Sequence, residues 1–153
     1  MKSLALKISM AVLSMIPLVA KAELIVLASP QSNDAYYAKM IDDIFDFHVD
    51  YAKKIIKNGD NVVVLTDKGL YPDYVKALGK KHVAIAPMHD IWMRDFTSAN
   101  PAQPVMFRYT AAGQGGAKKG QAISDEVQDE FKYYSQKAGL QFTQSKLLND
   151  GGN

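Results

Sequence analysis

Not one cysteine occurs among the 153 residues. Disulfide staples, thiolate metal sites and cysteine-based catalysis are thereby excluded within this chain. Neither a G-x-S-x-G elbow nor an H-E-x-x-H helix is present, so two common hydrolase chemistries lack their signatures. Long apolar runs are also missing. Residues 11–20 are almost wholly apolar, but the run is short for a bilayer span and contains Pro17. Tryptophan is reduced to a single copy, Trp92.

What the N-terminus does hold is a targeting pattern. Lys2 and Lys7 give a positive start, the apolar run follows, and Ala20-Lys21-Ala22 supplies small residues where a signal peptidase reads. The expectation is a cleaved secretory leader over residues 1–22, a domain over residues 23–153, and a periplasmic or extracellular destination. A membrane-retained N-terminus is the alternative; once the leader is cleaved, no stable membrane insertion is expected. The whole chain is formally +2. Lys2, Lys7 and Lys21 leave with a leader that contains no acid, so the remainder carries −1. The pI of about 8.7 is therefore partly a property of the leader. No basic excess remains to attract nucleic acid.

The length suits one domain, and 48% hydrophobic residues suffice for a core. Residues 23–28 read as a short buried strand ended by Ser29-Pro30. Ser32, Asn33 or Asp34 can cap a following helix, in which Tyr37, Met40, Ile44, His48, Tyr51 and Ile55 recur at helical spacing. Acids sit early and lysines late along it, which suits the helix dipole, and Asn58-Gly59 ends it. Residues 62–66 form a β-branched run of the kind covered on both faces. Tyr71-Pro72-Asp73 opens a short helix that Gly79 closes, and residues 83–86 make a third strand. Residues 105–109 predict a fourth strand, 111–120 a flexible loop, and about 122–138 a helix carrying Val127, Phe131 and Tyr134 inward. One or two short strands follow within residues 141–148. This order is α/β with a suggestion of a repeated unit.

The densest chemistry lies just after the third strand, in His89-Asp90-Ile91-Trp92-Met93-Arg94-Asp95. In α/β proteins ligands gather at the carboxyl ends of strands. An aspartate can fork two hydrogen bonds onto a planar guanidinium while an indole covers that cation's face. Asp95 and Trp92 are thus candidate binding residues for an arginine-like group, with Asp90 a weaker one. The structural alternative is that the lone Trp is core and that Arg94 and a neighbouring Asp form a surface pair.

Asp90-Ile91-Trp92-Met93-Arg94-Asp95 resembles the D-x-W-x-R-D signature of the agmatine deiminase and bacterial, Porphyromonas-type, peptidyl-arginine deiminase family. Leu147-Leu148-Asn149-Asp150-Gly151-Gly152-Asn153 is similar to that family's E-G-G-N segment, with Asp150 where Glu is usual. Phe96-Thr97-Ser98 departs from the small residue and Gly-Pro of many members. The resemblance implies a pentein-type fold, a pseudo-fivefold propeller of ββαβ units. It also implies hydrolysis of a guanidinium to a ureido group with release of ammonia, and no metal or organic cofactor. In that chemistry a cysteine thiolate attacks the guanidinium carbon, a histidine transfers protons and carboxylates clamp the nitrogens. Asp95 then matches a clamping carboxylate, Trp92 a pocket wall, and Asp150 a weaker substrate contact. Arg94 reads as a scaffold residue paired with a carboxylate. The family's catalytic histidine and cysteine lie beyond the Gly-Gly segment, so no catalytic residue is assigned, and the chain looks like the N-terminal part of a longer, here incomplete, enzyme. The implied ligand is a small guanidinium or a peptide arginine. Two rival readings are a non-catalytic guanidinium- or amine-binding module and a non-functional truncated remnant.

The remaining candidates are weaker. His48 lies on the apolar helix face and reads as packed core. His82 opens a strand and has no ligand partner at metal spacing. His89 is nearest the motif but is assigned no role beyond the pocket rim. Gly113-Gln114-Gly115-Gly116 with Lys118 and Lys119 does not match a phosphate-binding loop and reads as a mobile segment or lid. Tyr36-Tyr37 and Tyr133-Tyr134 read as core plus rim.

Overall fold

The computed structural model describes residues 22–99, 104–110 and 117–148. The expected leader up to residue 21, the Gly113–Gly116 segment and Asp150 lie outside the described residues. Strands β1 (Leu24–Ala28), β2 (Asn61–Thr66) and β3 (Val83–Ile85) form a parallel sheet in the order β1-β2-β3. Helix α1 (Ile41–Lys57) links β1 to β2. Helix α2 (Tyr71–Leu78) and a 3-10 turn over Lys80–His82 link β2 to β3. The second half runs α3 (Met93–Phe96), β4 (Ser98–Ala99), β5 (Val105–Arg108), α4 (Ala117–Lys137) and β6 (Thr143–Leu148). There β4 is antiparallel to β5, and β5 is parallel to β6. That half is one ββαβ unit.

Alternation along β1 and β2 decides the layering, because successive side chains leave a strand on opposite faces. Ile25, Leu27 and Val62 meet Ala52 and Ile55 of α1, and Val64 meets Tyr74 of α2. On the opposite face Ala28 and Leu65, which lie in register, join Met88, Phe96, Tyr109 and Val127. The central strand is therefore covered on both sides, as its β-branched run requires.

Helix α1 carries Asp42 and Asp43 in its first turn and Lys54 and Lys57 in its last. It begins later than the periodicity suggests. Asp34 accepts hydrogen bonds from the Tyr36 and Tyr37 backbone N–H groups (2.8 and 3.4 Å), and the Met40 N–H donates to the Tyr37 carbonyl at 2.8 Å. These turns occupy residues 35–40 and direct Tyr37 inward before the regular helix starts. Gly59 follows at φ +93°, a left-handed conformation that favours glycine.

Helix α4 begins at Ala117, so the expected loop is already helical over its last four residues. Its central glutamine explains the docking of this helix. Gln128 donates to the Phe107 carbonyl (2.6 Å) and accepts from the Tyr109 N–H (2.9 Å), joining α4 to the end of β5. Val127 is buried, whereas Phe131 and Tyr134 are half-buried, and Gly139 ends the segment at φ +77°. No described helix is long and apolar enough to cross a membrane.

Candidate functional site

The chain leaves β3 through Ala86, Pro87 and Met88 and enters the motif. Asp90 is buried at 6% exposure, and its Oδ1 accepts from the Tyr37 hydroxyl (3.1 Å), the Ile91 N–H (2.7 Å) and the Trp92 N–H (3.3 Å). This carboxylate closes the turn on itself and fastens it to the segment before α1. Burial, with Asp90 alongside, pushes the Tyr37 hydroxyl well above the ordinary tyrosine range, so it remains a donor.

The turn feeds α3, a single helical turn closed by the Thr97 N–H on the Met93 carbonyl (3.1 Å). Phe96 is fully buried against Tyr109 and Phe131 and anchors that turn. Trp92 would share the Phe96 face if it were helical. Its backbone sits at φ −82°, ψ 62°, outside the helical region, and its indole is 62% exposed. Leaving a tryptophan in water forgoes on the order of 2 kcal/mol of burial, and Trp92 shares this exposure with other large apolar side chains such as Phe47 and Leu147. It is not core.

A cleft of about 360 Å³ opens here. One wall is residues 26–28 of β1, another is His48 of α1, and the third is residues 91–95, including Trp92 and Asp95. Asp95 is half-buried, and its N–H donates to the Trp92 carbonyl at 2.9 Å, which fixes the two residues relative to each other. A more open hollow of about 570 Å³ runs along α4 past Asp125, Glu126, Asp129 and Glu130. It is the face of one helix, whereas the smaller cleft draws walls from three separate elements and contains the motif. The smaller cleft is the candidate site.

Asp95 and Trp92 thus share the cleft, while Asp90 lies outside its lining and holds the turn instead. Arg94 lines the cleft but differs from the expected scaffold pairing. Its side chain is exposed and has no carboxylate within ion-pair reach among the described residues. In water its charge is screened, so the turn is held by Asp90 without it.

His89 points away from this cleft. Its Nδ1 lies 2.7 Å from Glu130 and its backbone N–H donates to the same carboxylate at 3.0 Å, tying the loop to α4. His82 is buried and donates from Nδ1 to the Val62 carbonyl at 3.0 Å. His48 is packed, as its helix face suggests, with Nδ1 3.0 Å from the Tyr74 hydroxyl, yet it also reaches the cleft. Helical periodicity reports the buried face but not that this face ends at a cavity, so the second role had no sequence signal. Among the described residues no group of three or more His, Asp or Glu side chains could hold a metal.

The profile of the Porphyromonas-type peptidyl-arginine deiminase family matches residues 14–153. The chain belongs to that family. Its structure is similar to the C. jejuni agmatine deiminase, with a TM-score of 0.62 at 17% identity, covering 87% of this chain and 40% of that one. A serine-for-cysteine variant of the C. jejuni enzyme with substrate bound gives 0.60 at 14% identity, covering 87% and 39%. The chain therefore spans about two fifths of the length of these solved relatives and shares their α/β fold over that part. No curated protein matches the chain.

Proposed function

We propose that this chain forms the guanidinium-holding part of a deiminase that hydrolyses a guanidinium to a ureido product and releases ammonia. The observation that carries the reading is the placement of Asp95 and Trp92 on one concave wall. A carboxylate there can fork onto two guanidinium nitrogens, and an exposed indole can lie against the cation's face. Residues 26–28 of β1 supply an apolar wall for the methylenes that follow. Membership of the family and the likeness to a substrate-bound agmatine deiminase support this choice over a surface ion pair. Asp90 serves the site by holding the turn, and Asp150 stands as a weaker contact. The complete architecture in this reading is a pentein propeller, of which the ββαβ half is one unit.

Attack on the guanidinium carbon needs a nucleophile and a proton carrier at that atom. The cysteine that the family resemblance implies is absent from these residues. The chain by itself is therefore proposed to bind without turning over. The second reading is a guanidinium-binding module with no hydrolytic role. An ammonia-release assay on agmatine and on a peptide arginine, with Asp95→Ala as control, separates the possibilities. Background release with Asp95-dependent binding is the expected result. Turnover that disappears in Asp95→Ala would overturn the claim of inactivity and demand a cysteine-independent mechanism.

A further inference from the structure

His48 is buried to 6% exposure, lines the cleft with Trp92 and Asp95, and has only one nitrogen engaged among the described residues. Its Nδ1 meets the Tyr74 hydroxyl at 3.0 Å. Tyr74 is fully buried, and among the described residues that nitrogen is the sole partner of its hydroxyl. If Nδ1 carried the proton and the hydroxyl accepted it, the tyrosine O–H would be left buried without an acceptor. The hydroxyl therefore donates, Nδ1 accepts, and the ring's single proton sits on Nε2. Protonating the whole ring would set a second N–H against the tyrosine proton. Burial works in the same direction by lowering the His48 pKa to about 4.

Nε2–H has no hydrogen-bond partner among the described residues. Nor is it sealed away, since among those residues no side-chain nitrogen or oxygen is both shut off from solvent and unpaired. A fixed, neutral donor on a cleft wall cannot accept a hydrogen bond from a guanidinium. It can serve only an acceptor atom, which in an arginine derivative is an oxygen.

We propose that His48 is a specificity residue: its Nε2–H binds an acceptor oxygen on the α-carbon substituent of an arginine derivative and so selects against decarboxylated guanidines such as agmatine. This rests on the guanidinium reading of Asp95 and Trp92 and names the substrate class within it. Asp95 holds the charged end, which all candidate ligands share. His48 tests the other end, where a peptide arginine has an amide carbonyl, free arginine has a carboxylate, and agmatine has no oxygen. Tyr74 acts through His48 as the residue that sets its tautomer.

The full chain can be tested in two measurements. A long-range proton–nitrogen spectrum, assigned with His48→Gln, reads the tautomer directly; a bare Nδ1 and protonated Nε2 are expected, and the reverse would overturn the proposal. Titration with Nα-acetylarginine amide, free arginine, agmatine and butylguanidine then reads selectivity. Butylguanidine controls for the second charge of agmatine. The oxygen-bearing ligands should bind roughly tenfold tighter, the scale of one neutral hydrogen bond. In His48→Phe that ratio should fall to about one. The double variant His48→Phe, Tyr74→Phe leaves no stranded hydroxyl and replaces the single one if that fails to fold. The two oxygen ligands distinguish a carbonyl from a carboxylate, and preference for either supports the donor. Equal binding of all four through Asp95, or a preference that survives His48→Phe, would overturn the His48 inference alone. Failure of every ligand to bind would remove the guanidinium reading and the inference with it.

Discussion

The Tyr37 hydroxyl donates to Asp90 across 53 residues of chain, at 3.1 Å, and this contact fastens the turn that carries Trp92 and Asp95. Both groups are buried, and the acceptor oxygen also serves two backbone N–H groups. The pairing makes the candidate site depend on the segment ahead of α1.

Removing that carboxylate should therefore damage the fold before any chemistry. Asp90→Ala strands the Tyr37 hydroxyl and two N–H groups, a loss of roughly 2–4 kcal/mol. Tyr37→Phe removes one of three donors and should cost about 1–2 kcal/mol. Urea melts followed by circular dichroism check both, and equal stability of all three proteins would contradict the role given to Asp90.

Asp95→Ala is read in binding, because its side chain lines the cleft. Affinity for an arginine derivative should fall at least roughly tenfold, because a charge-assisted fork is lost. The single tryptophan makes the titration readable, since quenching of its fluorescence reports only Trp92. Undiminished binding by Asp95→Ala would remove that residue from the site.

Stability should also depend on the protonation of His48. Its pKa falls from the ordinary 6.5 to about 4 because burial disfavours the charged ring. Between those values the unfolded chain binds the proton and the folded chain does not. The contribution is thus fully present above pH 6.5 and is lost as pH falls toward 4. The window corresponds to about 3 kcal/mol. Chemical denaturation at a series of pH values should show this slope in the native chain and a shallower one in His48→Gln. Parallel profiles would mean that other groups govern the acid sensitivity.

We propose that export and cleavage leave Glu23 as the first residue. Its backbone nitrogen lies 3.1 Å from the Asp60 carboxylate, so cleavage would turn an amide contact into an ion pair with the new terminus. The pair is exposed and should contribute no more than about 1 kcal/mol. Asp60→Asn should then destabilise a chain beginning at Glu23 more than one that retains its leader. N-terminal sequencing of exported protein checks the cleavage itself, and an intact Met1 would refute it.

Much of the fold was legible because local patterning has direct physical causes. The β-branched run of β2 demanded cover on both faces, and Gly59, Gly79 and Gly139 ended their segments in left-handed backbone. The candidate site was half legible. Trp92 and Asp95 stood out by composition and spacing, and the structure sets both in the cleft. Asp90 reads in the sequence as a further ligand, and the structure adds that its Oδ1 accepts from Tyr37 and two backbone N–H groups, a contact that an aspartate beside a tryptophan does not announce. Arg94 drew a scaffold role from its neighbours in sequence, yet it lies exposed.

The chain's sequence by itself determined the order of its longer elements, though not the short α3 and β4, together with the carboxylate and indole of the motif and the lack of any thiol. Those follow from residue identity and from periods of two and 3.6, which act over a few neighbours. Tertiary structure alone decided that His48 meets Tyr74 across 26 residues, that His48 also lines the cleft, and that Tyr37 reaches Asp90. Such contacts join side chains on different elements, and no local periodicity encodes which distant group a buried donor will meet. The tautomer of one histidine, and with it the ligand oxygen it can recognise, is fixed at that level.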